Sequence, residues 1–287
     1  MKELRDAIEA WVALHPHLKE IGRLQQLVLW VWDQHAPAGD LKEPVVNWHE
    51  VKRELQRGKP AITVAAWHEV MVRQAAVLLQ QMTAAFAAAD LPGELRRQAQ
   101  RLQALFEDQP ELPGRLIQDA LADQGPGLAE LERAGVSPGV AVFFLWSVLP
   151  RLLQPLIQQV ESWQQSGQWE RAYCPVCGQL PAMAHLVRTG KGRERELVCG
   201  RCQTRWHYKR MGCPYCESDD YGALKILEPH GAPDWRIDTC DHCRGYLKTY
   251  TGEGNEAVAL ADWSTLHFDV IGQNRGFQRF GFQRYQI

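Results

Sequence analysis

All eight cysteines lie in the last 114 residues of the chain, and each belongs to a Cys-x-x-Cys pair: Cys174/Cys177, Cys199/Cys202, Cys213/Cys216 and Cys240/Cys243. Two thiolates at this spacing share one tight turn and can grip one metal ion. Two such turns close a tetrahedral four-cysteine site. Four pairs therefore supply two mononuclear sites with no cysteine left over. Tetrahedral sulfur suits zinc or an iron ion of rubredoxin type. A site of four cysteines keeps no position open for substrate, so the expected role is structural or electron-transferring rather than hydrolytic. His185, His207, His230 and His242 flank the pairs. With eight sulfurs already sufficient, they read as surface groups or as groups supporting the ligands.

The spacing between pairs suggests how they group. Leu180 to Val187 can run out as a strand, Thr189-Gly190-Lys191-Gly192 can turn, and Glu196-Leu197-Val198 can return. That hairpin brings Cys174, Cys177, Cys199 and Cys202 together. A second hairpin, from Tyr221 to Leu227 and back through Trp235-Arg236-Ile237, gathers Cys213, Cys216, Cys240 and Cys243. An interleaved pairing stays open, because only ten residues separate Cys202 from Cys213. The two cysteine groups repeat in type. Each ends in an aromatic, basic, strand-prone run, Arg205-Trp206-His207-Tyr208-Lys209 and Gly245-Tyr246-Leu247-Lys248-Thr249-Tyr250. Tandem duplication of a small metal module accounts for this, although the strands after Cys202 and Cys243 could exchange between modules.

The elements before the cysteines have a different texture. Apolar residues recur at helical spacing in Leu24, Leu27, Val28, Val31 and Trp32, and again in Val70, Val72, Ala76, Leu79, Met82 and Phe86. Breakers fall at Ala36-Pro37-Ala38-Gly39, Gly58-Lys59-Pro60, Pro92-Gly93, Pro113-Gly114, Gly125-Pro126-Gly127 and Pro138-Gly139. This predicts six or seven helices, the last from about Pro138 to Trp163. The tryptophans of this half read as bundle core, and His15, His17, His35, His49 and His68 as ordinary surface or core residues. The predicted architecture is α+β and multidomain. An all-α domain over 1–168 precedes two rubredoxin-like or zinc-ribbon β modules, at 169–211 and at 212–287 with a tail.

Bulk properties narrow the function. The net charge is −2, with −5 over residues 1–170 and +3 over 171–287. No dense basic face for nucleic acid is expected. The start of the chain lacks a basic segment followed by an apolar one, and the apolar run Val140–Leu149 is shorter than a membrane span needs. A cytoplasmic location and no membrane insertion are expected. In that compartment Cys-x-x-Cys pairs are metal ligands rather than disulfides. Gly-x-Ser-x-Gly, a phosphate loop, His-Glu-x-x-His and the dinucleotide glycine pattern are absent, and no enzymatic activity is expected.

On these residues the chain resembles the formate dehydrogenase accessory protein FdhE family. The likeness is carried by Cys174-Pro-Val-Cys-Gly178, Cys199-x-x-Cys202 with Trp206 and Arg210, Cys213-Pro-Tyr-Cys216, and Cys240-Asp-His-Cys-Arg-Gly-Tyr-Leu-Lys248. Leu260-Ala-Asp-Trp-Ser-Thr-Leu-His-Phe-Asp269 adds to it. The resemblance implies a chaperone-like maturation factor that engages the catalytic subunit of respiratory formate dehydrogenase before its export. Trp206, Tyr208, Tyr246 and Lys248 are candidate partner contacts, and a homodimer is compatible with this reading. Two alternatives compete with it: a rubredoxin-like electron carrier, and a zinc-ribbon protein that binds nucleic acid.

Overall fold

The computed structural model describes residues 2–34, 47–64, 69–122, 128–164, 169–190 and 192–285. The breakers at 36–39 and 125–127, His35, Trp67, His68, Lys191 and the side chain of Val70 lie outside the described residues. The chain forms two compact units. One comprises Met1–Trp48, Ala65–Pro155 and Arg284–Ile287, and the other His49–Val64 and Leu156–Gln283.

The first unit is helical. It contains α1 (Lys2–Leu14) and α2 (Lys19–Gln34), and α3 (Trp48–Gln56) begins at its boundary. It continues through α4 (Glu69–Ala88), α5 (Gly93–Asp108), α6 (Leu112–Leu121), α7 (Leu128–Arg133) and the first part of α8 (Pro138–Gln164). Eight helices thus precede the cysteines among the described residues; the excess over the expected six or seven is in short elements such as α7. Val72, Leu79, Met82 and Phe86 bury one face of α4. Phe86 meets Phe143 and Phe144 with ring centroids 5.6 and 5.1 Å apart. Gly22 permits close approach of α2 to α1, where a Cβ would sit 2.6 Å from a Val12 methyl. Trp146 is buried, and the Trp32 indole donates to the Ser147 carbonyl at 2.9 Å.

Two of the expected breakers open helices, Pro138 as expected for the last helix. Pro113 lies in the first turn of α6 and Pro138 opens α8, positions where a missing N–H removes no helical hydrogen bond. α8 continues through Pro150 and Pro155, so the apolar run extends past its expected end. It is the one helix among the described residues long and apolar enough to cross a membrane, and 78% of its apolar window is buried. Buried apolar surface of that extent is the signature of a core helix.

The second unit is built on one six-stranded sheet in the order β3-β2-β1-β6-β5-β4. Its strands are β1 (Pro181–Thr189), β2 (Gly192–Cys199), β3 (Arg205–Tyr208), β4 (Leu224–Leu227), β5 (Trp235–Cys240) and β6 (Tyr246–Tyr250). The two predicted hairpins are present as β1/β2 and β4/β5. β3 pairs with β2, and β6 pairs with β5. The two modules are not separate bodies, however. β6 also pairs in parallel with β1, Met183 opposite Lys248, so one sheet runs through both. All five residues of β6 are buried. α9 (Glu256–Ala259), α10 (Leu266–Asn274) and the 3-10 turn Asp262–Thr265 follow.

The division at residue 168 also differs from the structure. His49–Val64 and the end of α8 cluster with the sheet. The Ala61 and Ile62 N–H groups donate to the Pro175 and Val176 carbonyls, each at 2.8 Å, and the Tyr173 hydroxyl donates to the Gly58 carbonyl at 2.7 Å. Glu161 of α8 accepts from the Arg205 N–H at 3.0 Å, and Gln164 donates to the Arg205 carbonyl. These side chains engage the first residue of β3.

Candidate metal centres

The cysteines occupy four turns of one design. In each, the N–H of the first cysteine bonds the carbonyl five residues on: Cys174 to Gln179, Cys199 to Thr204, Cys213 to Ser218 and Cys240 to Gly245, at 2.9–3.0 Å. In each, the residue after the second cysteine is left-handed, with φ of 78° at Gly178, 69° at Gln203, 58° at Glu217 and 60° at Arg244. That bend closes the turn and points both sulfurs to one side. Only the first turn uses glycine, the residue that adopts this conformation without steric cost. Backbone N–H groups reach the sulfurs, from Cys202 to Cys199 Sγ at 3.5 Å and from Tyr215 to Cys213 Sγ at 3.4 Å.

The turns assemble into two clusters in the sequential grouping: Cys174, Cys177, Cys199 and Cys202, then Cys213, Cys216, Cys240 and Cys243. Within each, the sulfurs lie within 4.8 Å of one another. The facing pairs are 3.4–3.6 Å apart in the first cluster and 3.6–3.8 Å apart in the second. A tetrahedral ion with sulfur ligands at about 2.3 Å places them about 3.8 Å apart. Both clusters fit such an ion in spacing and donor type. Their environment favours one too. Burial pushes the Cys174 and Cys177 thiols well above their ordinary range, so buried thiolates need a cation beside them.

The clusters differ in access. All four sulfur residues of the first are buried, whereas Cys216 is exposed and Cys243 partly so. The Gly58–Thr63 segment covers the first turn, with Pro60 3.0 Å from where a Gly178 Cβ would sit.

The histidines stand apart from both clusters. His185 is buried, stacks on Tyr250 and lies 3.2 Å from the Gly252 carbonyl. His242 pairs with Asp220 at 3.0 Å on the surface.

The four candidate partner contacts require correction. Trp206, Tyr208, Tyr246 and Lys248 are 1%, 8%, 1% and 0% exposed, so they build the sheet and present no docking surface. The Trp206 indole donates to the Arg171 carbonyl at 3.0 Å. Lys248 lies in a buried charge network. Its ammonium reaches Asp262 at 2.8 Å and Asp269 at 2.9 Å; Arg279 reaches the same two carboxylates at 2.8 and 3.1 Å; and the Tyr246 hydroxyl donates to Asp269 at 2.7 Å. Burial would raise the Asp262 carboxyl, but the Lys248 and Arg279 charges outweigh it and hold it at about 2. Sequence reasoning missed this network, and the tail that carries Arg279 gave no interpretable pattern. The tail lies against both modules. Phe280 packs 5.2 Å from Tyr215, and Arg201 sits 5.7 Å over Phe282.

Comparison with known proteins agrees with the likeness seen in the cysteine segment. Residues 173–210 match the family model described as FdhE, central domain. A protein named Protein FdhE homolog from Pseudomonas aeruginosa is 42% identical over 118 residues, 38% of each chain. Another from Edwardsiella ictaluri is 30% identical over 185 residues, 62% of this chain and 59% of the relative. The matched parts thus span between about a third and three fifths of these relatives. The crystal structure of the FdhE protein from Pseudomonas aeruginosa shares the fold, with a TM-score of 0.65 and 22% identity over 99% of this chain and 94% of that one.

Proposed function

We propose that this chain, whose residues 173–210 match the FdhE central-domain model, is a non-catalytic accessory protein for the maturation of respiratory formate dehydrogenase. It acts in the cytoplasm and holds the catalytic subunit before export. The observation that carries this reading is the closure of both cysteine clusters: four sulfurs surround each centre, leaving no position at which a substrate could be activated. Metal bound there would fix the six-stranded sheet as a platform for a partner. The client follows from the family resemblance. Deleting the gene in a formate-respiring host should abolish formate dehydrogenase activity while its transcript persists, and the tagged protein should capture the immature catalytic subunit. Normal activity in the deletion strain would refute the assignment.

One observation favours a second reading, electron transfer. Cys216 is exposed, so an iron in the second cluster would have an electron path to solvent. Anaerobic purification with metal analysis and visible spectroscopy separates the two. Two zinc ions per chain without a chromophore would exclude the redox role.

A further inference from the structure

The internal duplication makes one strand edge stand out. β1 and β4 are the first strands of their hairpins and correspond by position in the repeat. In the first module the outer edge of β1 is covered by β6 in parallel register. In the second, β4 is terminal, with β5 as its sole neighbour among the described strands. In the other terminal strand, β3, Glu161 and Gln164 engage the backbone of Arg205. The same module edge is thus filled by a strand in one copy and left open in the other.

Beside this edge lies a cleft of about 260 Å³. Ile226, Asp238 and Leu247 occupy one cross-strand row along it. Met211, Tyr221 and Ile226 line it while 51%, 63% and 53% exposed. They are three of the eight exposed large apolar residues among the described ones, gathered in one place rather than scattered. The lining is also cationic, with Arg195, Arg210, Lys225 and Arg236 against a single acid, Asp238. That acid is engaged by Arg236 at 2.9 Å and by the Thr249 hydroxyl at 2.6 Å. Arg195 is 4% exposed, donates to the Gly212 carbonyl at 3.0 Å, and leaves Nε without a partner. Its guanidinium lies 5.2 Å over the Tyr208 ring and feels the Asp238 charge.

We propose that this cleft docks an extended segment of a partner protein that alternates acidic and apolar residues and adds to β4 as a further strand. Pairing at the open edge supplies main-chain hydrogen bonds. Alternate side chains of an added strand face the cleft. One points a carboxylate toward Arg210, and its neighbour on the same face packs among Met211, Tyr221 and Ile226. Any protein exposing such a segment fits; the identity of the client is a separate matter.

Fluorescence anisotropy with the metal-loaded full chain tests this, using a labelled peptide that alternates glutamate and valine, its lysine-for-glutamate counterpart, and an N-methylated version. The acidic peptide should bind and the other two should not. Arg210→Glu and Ile226→Asp, both at exposed positions, should each weaken binding roughly tenfold or more with unchanged circular dichroism. Failure of the acidic peptide to bind, equal binding of the lysine peptide, or parental binding by both variants would overturn the proposal. So would full competition by free glutamate, which would indicate a small-molecule site. Self-association of the free chain that Ile226→Asp abolishes would assign the edge to a second copy instead.

Discussion

The two cysteine clusters share their ligands and their turns but not their surroundings, and single residues set the difference. Cys216 is exposed where its counterpart Cys177 is buried. Solvent access governs how readily a competing ligand reaches a bound ion, so the second cluster should surrender metal first. A colorimetric chelator should record two phases of equal amplitude, and Cys216→Ser should remove the fast one; a single phase would contradict the asymmetry. Gly178 is a second such residue. Its φ of 78° and the Pro60 ring 3.0 Å from a would-be Cβ leave no room for a side chain. Gly178→Ala should cost about 1–2 kcal/mol in denaturant unfolding. A change near zero would mean that the turn relaxes freely.

At the scale of elements, the informative contrast is between the two edges of the sheet. At the β3 edge the Arg205 backbone is engaged by α8, with Glu161 accepting from its N–H at 3.0 Å. Burial lifts the Glu161 carboxyl above its ordinary range, against the opposing effect of that hydrogen bond. Glu161→Leu removes the acceptor and should cost about 1–3 kcal/mol. Faster amide exchange at Arg205 would locate the loss. The predicted hairpins reproduced both antiparallel pairs because each is local in sequence, with alternating apolar residues and a turn between. The parallel β1–β6 pairing was invisible. It joins residues more than sixty positions apart, and periodicity carries no information about which strands meet.

For the whole second unit, the cysteine clusters and the buried charge act on one continuous sheet. Because β6 belongs to both modules, loss of the first cluster should not melt the first hairpin alone. Cys174→Ser should release the six strands together, seen as loss of near-ultraviolet circular dichroism, while the helical signal of the first unit persists. Separate transitions for the two modules would contradict a shared sheet. The buried network of Lys248, Arg279, Asp262 and Asp269 adds a pH dependence. Asp262 is held at about 2 against an ordinary 3.8. Its contribution of about 2 kcal/mol is therefore complete above pH 4 and lost as pH falls from about 4 towards 2. Asp262→Asn should destabilise by about 3–5 kcal/mol at neutral pH and flatten the acid limb of a stability-against-pH curve.

The chain itself determined the two four-cysteine clusters and the two classes of structure. Cysteine spacing is local, and a tight turn brings both thiolates to one ion whatever surrounds it. Helical and alternating apolar periods likewise depend only on near neighbours. Tertiary structure decided what those parts are for. Trp206, Tyr208, Tyr246 and Lys248 have the composition of a binding surface, yet the sheet buries all four. Lys248 is tolerated inside because Asp262 and Asp269, from a later segment, neutralise it. β4, by contrast, ends the sheet among the described strands and keeps Ile226 exposed. Burial and edge exposure depend on which distant segments pack together, and that is settled by the fold as a whole.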